Sequence, residues 1–158
     1  ITPNDFESKH PLAGMYLQRE LEEKAFNEGK GAIPVQLYGD FVNNKISHEF
    51  GNVIPDIKGK YSFANIKNVL PKYICDSIEE AMPYFGKKIQ GFDNKDTVFA
   101  AIESRTSSPV RIIREDDFQS VFKGVYPCGE GAGYAGGITS ATIDGIKVFE
   151  SIISEFRP

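Results

Sequence analysis

The sequence predicts an α+β chain whose first part is mainly helical and whose last part ends in a turn and a long helix. Apolar residues recur at helical spacing over 12–28 and 72–88, whereas strand-length apolar runs are concentrated after residue 96. A glycine-rich stretch, 126–145, holds six of the fifteen glycines and is followed by a further helical pattern. Together these features favour a helical subdomain followed by short strands, a glycine-rich turn and a closing helix.

The first helix is predicted over 12–28, where apolar side chains recur every four residues among charged ones. It ends at the glycine-containing segment 29–31, because glycine readily adopts the backbone conformation that terminates helices. The apolar and aromatic run 33–43 predicts an extended segment followed by a short helix around Asp40–Val42. These elements are most simply explained as packing elements with a solvated charged face.

The next part of the chain alternates loop and helix. Residues 44–61 are rich in glycine, asparagine and proline and are predicted to form a loop. Ser62 is predicted to cap a short helix over 64–70, because serine side chains accept hydrogen bonds from the first turn of a helix. A longer helix is predicted over 72–88, and Pro83 is a candidate break within it.

Three short apolar runs are predicted to form strands in the last third of the chain. They are 97–102, 110–113 and a third run made of the two fragments 121–122 and 125–126. The composition changes from helical to strand-like after Gly91, so a boundary is predicted between residues 92 and 97. This boundary divides the chain into the predicted domains 1–94 and 95–158.

Composition and charge limit the classes of function. The formal net charge is −4 and the isoelectric point is near 5.3, which argues against a general nucleic-acid or membrane-surface binder, since both need a basic face. No apolar run is long enough to span a bilayer. The two cysteines, Cys75 and Cys128, belong to no metal or redox motif and suit a reducing compartment. A cytoplasmic location is therefore expected.

The glycine-rich stretch is suited to an anionic ligand. Gly131, Gly133 and Gly136 match the spacing G-x-G-x-x-G, but that fingerprint belongs to the first turn of a βαβ unit, with an acidic residue about 20 positions further on. Only the closing helix follows here, so the stretch is interpreted as a strand–turn–helix that completes a sheet begun elsewhere. Its glycines and helix N–H groups favour part of a nucleotide-cofactor site.

Two runs carry a family resemblance: ESRTSSPVRI at 103–112 and YPCGEGAGYAGGITSATIDGI at 126–146. With the segments 10–26 and 33–41, they make the chain resemble the C-terminal portion of a family of bacterial FAD-dependent dehydrogenases. These are distantly similar to flavoproteins of the glutathione-reductase type. Members are much longer and hold the adenosine diphosphate of FAD on an N-terminal βαβ unit. The resemblance implies a piece of a longer oxidoreductase.

The resemblance also implies domain roles and site residues. Residues 1–94 would form part of a helical insert or substrate cap, and 95–158 the closing strands and last helix of a Rossmann-like FAD-binding domain. Glu130 occupies a position where an acidic residue, usually aspartate, accepts a hydrogen bond from a ribitol hydroxyl of FAD. The start of the last helix would face the pyrimidine edge of the flavin ring. The implied cofactor-binding set is Gly129, Glu130, Gly131, Gly133, Gly136, Gly137, Ile138 and Arg105.

Other polar residues receive structural interpretations. Arg111 and Arg114 are predicted to face solvent along a strand, and Cys128 is predicted to lie in the core. Asp144 is predicted to serve helix packing. No residue is identified as a catalytic acid, base or nucleophile, which a flavoprotein tolerates because its cofactor carries the chemistry. No metal ligand set is predicted.

The expected partners are a small-molecule substrate and the missing N-terminal half of the same protein. Whether NAD(P)H is a second reactant is left open. Self-association is also expected, and nucleic acid and membrane partners are not. The piece alone is expected to bind FAD weakly or not at all and to be inactive. Two other interpretations stay open: a non-catalytic helical interaction domain whose glycine-rich turn is structural, and a parent protein close to flavoproteins that act on tRNA.

Overall fold

The computed structural model describes residues 8–105 and 107–156, and within them it has four α-helices and one three-stranded sheet. This confirms the α+β class. The described chain forms two compact units, which are the sheet unit, Arg19–Ser104, and the glycine-loop unit, made of residues 8–18, Arg105 and 107–156. The elements in order are α1 (Ala13–Glu28), β1 (Ile33–Leu37), α2 (Tyr38–Val42), β2 (Tyr61–Phe63), a 3-10 helix (Ile66–Asn68), α3 (Lys72–Gly86), β3 (Val98–Ala100) and α4 (Ile138–Glu155).

The sheet is built around β1, which pairs with β2 in parallel and with β3 in antiparallel orientation. Val35 at its centre is fully buried, because strands and helices cover it. Phe41 of α2, Ile66 of the 3-10 helix and Cys75 of α3 form the core beside it. Phe99 of β3 packs against this cluster with its ring 5.1 Å from that of Phe41. The sheet unit therefore has a continuous apolar core.

A buried glutamine lies in the same core and satisfies backbone groups. Gln36 of β1 has no exposed surface. Its amide nitrogen donates to the carbonyl of Lys45 at 2.7 Å, and its amide oxygen accepts from the N–H of Ile66 at 2.9 Å. The irregular segment at Lys45 and the start of the 3-10 helix are thereby joined to the central strand. Buried polar groups of this kind are tolerated only when they are hydrogen-bonded.

Most predicted helices are confirmed, with two corrections. Ser62 does not cap a helix: it lies in β2, paired with β1. The cap of the 3-10 helix is instead Asn65, whose side chain accepts from the N–H of Lys67. Pro83 does not break α3, which continues to Gly86. The proline removes one N–H donor, but the residues after it still complete the last turn, where the N–H of Lys87 donates to the carbonyl of Pro83 at 3.3 Å.

The predicted closing strands are wrong, except that β3 forms within 97–102. In the described part of the chain, 110–113, 121–122 and 125–126 are irregular, although the N–H of Ser120 donates to the carbonyl of Val125. These runs are short, and most of their apolar side chains remain exposed, so no buried sheet face stabilises them. The closing helix is confirmed as α4. The domain limits 1–94 and 95–158 stay a prediction.

No helix in the described residues is both long and apolar enough to cross a membrane.

Candidate functional site

The two runs that carry the family resemblance lie against each other in the glycine-loop unit. The N–H of Ile112 donates to the carbonyl of Ala132 at 3.1 Å, and Arg111 Nε donates to the carbonyl of Gly133 at 2.9 Å. The hydroxyl of Tyr134 donates in return to the carbonyl of Ile112 at 3.1 Å. The segment after Pro109 thus supports the glycine-rich loop directly, although neither forms a strand.

A part-buried ion pair joins the loop to α4. The guanidinium of Arg114 donates to both carboxylate oxygens of Asp144, at 2.6 and 3.0 Å. The side chains are only 9% and 12% exposed. Asp144 also accepts from the N–H of Gly129 at 2.9 Å, and Arg114 donates to the carbonyl of Pro127 at 2.7 Å. One carboxylate and one guanidinium therefore fix the start of the glycine-rich loop to the helix that follows it.

Charge and aromatic contacts reinforce this ion pair between Arg114 and Asp144, which we call the clamp. The hydrogen bond to Asp144 raises the pKa of Arg114, although burial acts in the opposite direction. The same bond lowers the pKa of Asp144, with a further contribution from the N–H of Gly129, so the carboxyl is held in its charged form. The guanidinium carbon of Arg114 lies 3.6 Å from the centre of the Tyr134 ring, a favourable cation–π distance.

Two of the loop glycines are required by the fold itself. Gly129 and Gly133 have φ angles of 70° and 81°, a left-handed conformation that other residues adopt at a cost. A Cβ on Gly133 would also meet the backbone carbonyl of Val110 and lie 2.9 Å from the Cα of Arg111. Gly133 therefore permits the close packing of the two runs. This role is structural and needs no ligand.

The other loop glycines before α4 are less closely packed than Gly133. A Cβ on Gly131 would meet no atom within 4 Å, and one on Gly136 would meet only Ser107 Oγ, at 3.3 Å. Gly137 caps α4, with its N–H donating to Ser140 Oγ at 3.1 Å. The N–H groups of the first helical turn after it have no intrahelical acceptor. Ile138 is 91% exposed, so this end of the helix is accessible.

The remaining predicted residues have different environments. Glu130 is exposed, and its carbonyl accepts from the N–H of Gly133 in a tight turn. Arg105 is exposed at the start of the unit. Cys128 is exposed and lies in no strand, so its prediction as a core residue is wrong. Arg114 does not face solvent as predicted, because it is paired with Asp144, whereas Arg111 is exposed as predicted.

The sequence does not predict the clamp. Arg114 and Asp144 are thirty positions apart, and the pattern around each residue gives no sign of the other. A signal was present: Asp144 belongs to one of the runs that carry the family resemblance, Arg114 follows the other by two residues, and a charged residue beside apolar neighbours is buried only if it is paired. Among the described residues, no cluster of histidine, cysteine and carboxylate side chains could hold a metal ion.

The sheet unit contains a cavity of about 500 Å³ between α3 and the segment 98–103. Its walls are almost entirely apolar and include Leu70, Ile78, Met82 and Phe99. Phe85 and Phe92 also line it, and their rings are 5.4 Å apart. Such a cavity is large enough for a small molecule or for an apolar side-chain cluster.

Together, the sheet unit and the loop define a small α+β protein with a glycine-rich, accessible helix N-terminus. Its sequence identifies the family. The chain belongs to the family described as "FAD-dependent protein, C-terminal domain-like", whose sequence model matches residues 1–106. The predicted resemblance to the C-terminal portion of an FAD-dependent protein family is thereby confirmed. The match includes the whole sheet unit, whereas the glycine-rich stretch lies beyond it.

The chain is also similar to an uncharacterised protein of Clostridium beijerinckii. The two are 45% identical over 159 residues, a region that covers 99% of this chain and 30% of the relative. The chain therefore spans about 30% of the length of this relative. The aligned region leaves out only 1% of the chain, so it includes almost all of the glycine-rich stretch. The family model, in contrast, ends before this stretch begins.

Proposed function

We propose that this chain is the C-terminal portion of an FAD-dependent oxidoreductase, a dehydrogenase, and that it supplies the ribitol and isoalloxazine side of the cofactor site. The observation that carries the proposal is the accessible N-terminus of α4, where Ile138 is exposed and is preceded by Gly136 and Gly137, which have no side chains of their own. Membership of an FAD-dependent family supports it. FAD is proposed for the full-length protein, and the chain alone is expected to bind it weakly, since the adenosine contacts would come from elsewhere.

The residues present are chemically suited to a flavin. Glu130 places an exposed carboxylate in the loop, where it can accept hydrogen bonds from ribitol hydroxyls. Gly131 leaves room for a close approach. The N–H groups from Ile138 onward and the positive end of the helix dipole favour negative charge at a ring edge. Arg105 is proposed as a further contact to flavin or substrate.

Bound FAD would supply the redox chemistry, accepting or donating a hydride, and the protein would orient it. The role of the helix N-terminus would be to stabilise negative charge on the reduced ring, as such termini do for other anions. The clamp between Arg114 and Asp144 would keep the loop in a fixed position against α4 while the cofactor changes charge. The reaction partner is proposed to be a small molecule, with NAD(P)H as an open second reactant.

We also propose that residues 1–94 form part of a substrate cap, and the cavity supports this role because its α3 wall lies within that range. Its lining is apolar, so the portion of a substrate that enters it would be apolar too. This assignment rests on the family and on the cavity, and it names no substrate.

Gly137→Val in the full-length protein tests the cofactor site. A Cβ at Gly137 would make only an ordinary contact with Ser140 Oγ at 3.5 Å, and the φ of −143° is open to any residue, so the fold should tolerate the change. The added side chain would occupy the space in front of α4. The expected result is a loss of FAD affinity of at least about tenfold, since the helix N-terminus would be shielded.

Gly145→Ala is the matched control, because it lies within α4 and its Cβ would meet nothing within 4 Å. It should leave FAD affinity unchanged. If both variants bind FAD as the unaltered protein does, α4 does not face the flavin. The competing interpretation is an interaction domain with a structural turn, and the role of Gly133 in packing favours it. Unchanged FAD binding by both variants would make it the preferred interpretation.

A further inference from the structure

Helix α4 carries two apolar faces. The inner face, Ala141, Gly145, Val148 and Ile152, includes the buried Val148. The outer face is a second stripe with intervals of three and four residues, made of Ile143, Ile146, Phe149 and Ile153 on the helix and continued by Phe156 directly after its end. Its members are between 43% and 61% exposed. A surface helix normally has one apolar stripe, and a helix that is apolar on most of its circumference is normally buried.

The glycine-loop unit has little core of its own. Among its described residues, the buried apolar side chains are those of Ala13, Pro127, Ala132 and Val148. Large side chains elsewhere in the unit, such as Phe122 and Val121, are more than 70% exposed. A unit of this size that buries so few large side chains needs a further surface to pack against. The outer face of α4 is the most regular apolar surface that it offers.

The length of the relative indicates what that surface is. This chain corresponds to 30% of the Clostridium beijerinckii protein, so most of that polypeptide lies outside the aligned region. We propose that the outer face of α4 is an intramolecular domain interface, covered in the full-length protein by polypeptide outside these 158 residues. The inference does not depend on whether FAD is bound.

The dimensions of the surface favour this occupant over a second copy of the chain. A stable protein–protein interface typically buries about 800 Å² and 20–30 residues on each side. The outer face is five side chains, four on α4 and one directly after its end. A contact of that size suits two parts of one chain, because a covalent connection removes most of the entropic cost of association.

The composition of the face predicts the chemistry of its partner. Its centre is aliphatic and aromatic, so the covering surface should be apolar. Glu150 lies between Ile146 and Ile153 at helical spacing and is exposed at the border of the stripe. The covering surface should therefore offer a hydrogen-bond donor or a basic side chain to Glu150, since a carboxylate at the edge of an apolar interface needs a partner.

Thiol labelling in the full-length protein tests the proposal. Two variants place a cysteine on α4: Phe149→Cys on the outer face and Lys147→Cys, which replaces an exposed residue on the polar side of the same helix. Labelling with a maleimide is followed by peptide mass spectrometry, which reads each site separately from Cys128. The Phe149 site should label at least about tenfold more slowly than the Lys147 site, and the difference should disappear in denaturant.

Equal labelling rates would overturn the proposal, because the face would then be open to solvent. Protection that is lost on dilution would also overturn it, since a second copy would be the occupant. If Phe149→Cys does not fold, footprinting of the unaltered full-length protein replaces it. Oxidation of Phe149 and Phe156 should be slower in the native than in the denatured protein by a similar factor, and equal rates would refute the interface.

Discussion

Replacing Asp144 by alanine is expected to destabilise the glycine-loop unit strongly. The variant leaves the guanidinium of Arg114 buried without its carboxylate, and it removes the acceptor for the N–H of Gly129. Both donors lie where little water reaches, since the side chains of the pair are only 9% and 12% exposed. Removing one partner of such a pair costs about 3–5 kcal/mol of unfolding free energy, because a buried charge is left uncompensated.

Asp144→Asn separates charge from hydrogen bonding. The asparagine can still accept from Gly129, but it lacks the charge that holds Arg114. Its expected cost is smaller, about 1–3 kcal/mol, the range for a weakened hydrogen bond to a buried charged group. The order of stability should be unaltered protein, Asp144→Asn and then Asp144→Ala.

Denaturant unfolding followed by far-UV circular dichroism measures these differences, because α4 contributes to the helical signal. The matched control is Asp76→Ala, which removes an exposed i,i+4 pair with Lys72 on α3. Exposed pairs of this kind contribute little, so its transition midpoint should not move. If Asp144→Ala and Asp76→Ala unfold at the same denaturant concentration, the clamp does not stabilise the unit and the reasoning fails.

The pair also predicts a pH dependence. The folded-state pKa of Asp144 lies below its ordinary value, mainly because of the hydrogen bonds from Arg114. Its stabilising contribution is therefore complete above the unfolded-state pKa of about 3.9 and is lost as the pH falls towards and through the lower folded pKa. Asp144→Ala should lack this part of the acid dependence. Parallel acid-unfolding curves for the variant and the unaltered protein would contradict it.

Three further predictions concern glycine, glutamine and cysteine residues. Gly133→Ala should lower the unfolding free energy by at least about 1–2 kcal/mol, because of its left-handed backbone and close contacts, whereas Gly131→Ala should be neutral in the same denaturant titration. Gln36→Leu should cost about 2–5 kcal/mol in thermal or denaturant unfolding, since the N–H of Ile66 and the carbonyl of Lys45 lose their partner. Cys128 should react with a thiol reagent in the folded protein, whereas Cys75, whose pKa is raised by burial, should react only on unfolding; equal rates would contradict its burial.

The helices could be predicted because their signals are local. The apolar periodicity of α1, α3 and α4 lies within single segments, and the extended segment before α2 was also identified. Strand pairing is not local. β2 has only three residues and joins β1 across a long connection, so its sequence predicts the end of a loop and a helix cap. Short apolar runs such as 110–113 have the composition of strands, but in the described residues they pair with no other strand.

The candidate site shows the same limit. The sequence identified both runs that pack together around Gly133, because their composition is distinctive. It did not identify the bond between Arg114 and Asp144, because an ion pair depends on the distance between two side chains and not on either residue alone. The flavin contacts of Glu130 and Arg105 stay predictions.

The visible absorption spectrum of the full-length protein, purified without added flavin, tests the central claim most directly. The account predicts the absorption bands of an oxidised flavin, released by denaturation as FAD, and their loss from the Gly137→Val variant while Gly145→Ala retains them. A colourless full-length protein that cannot be reconstituted with FAD would contradict the account.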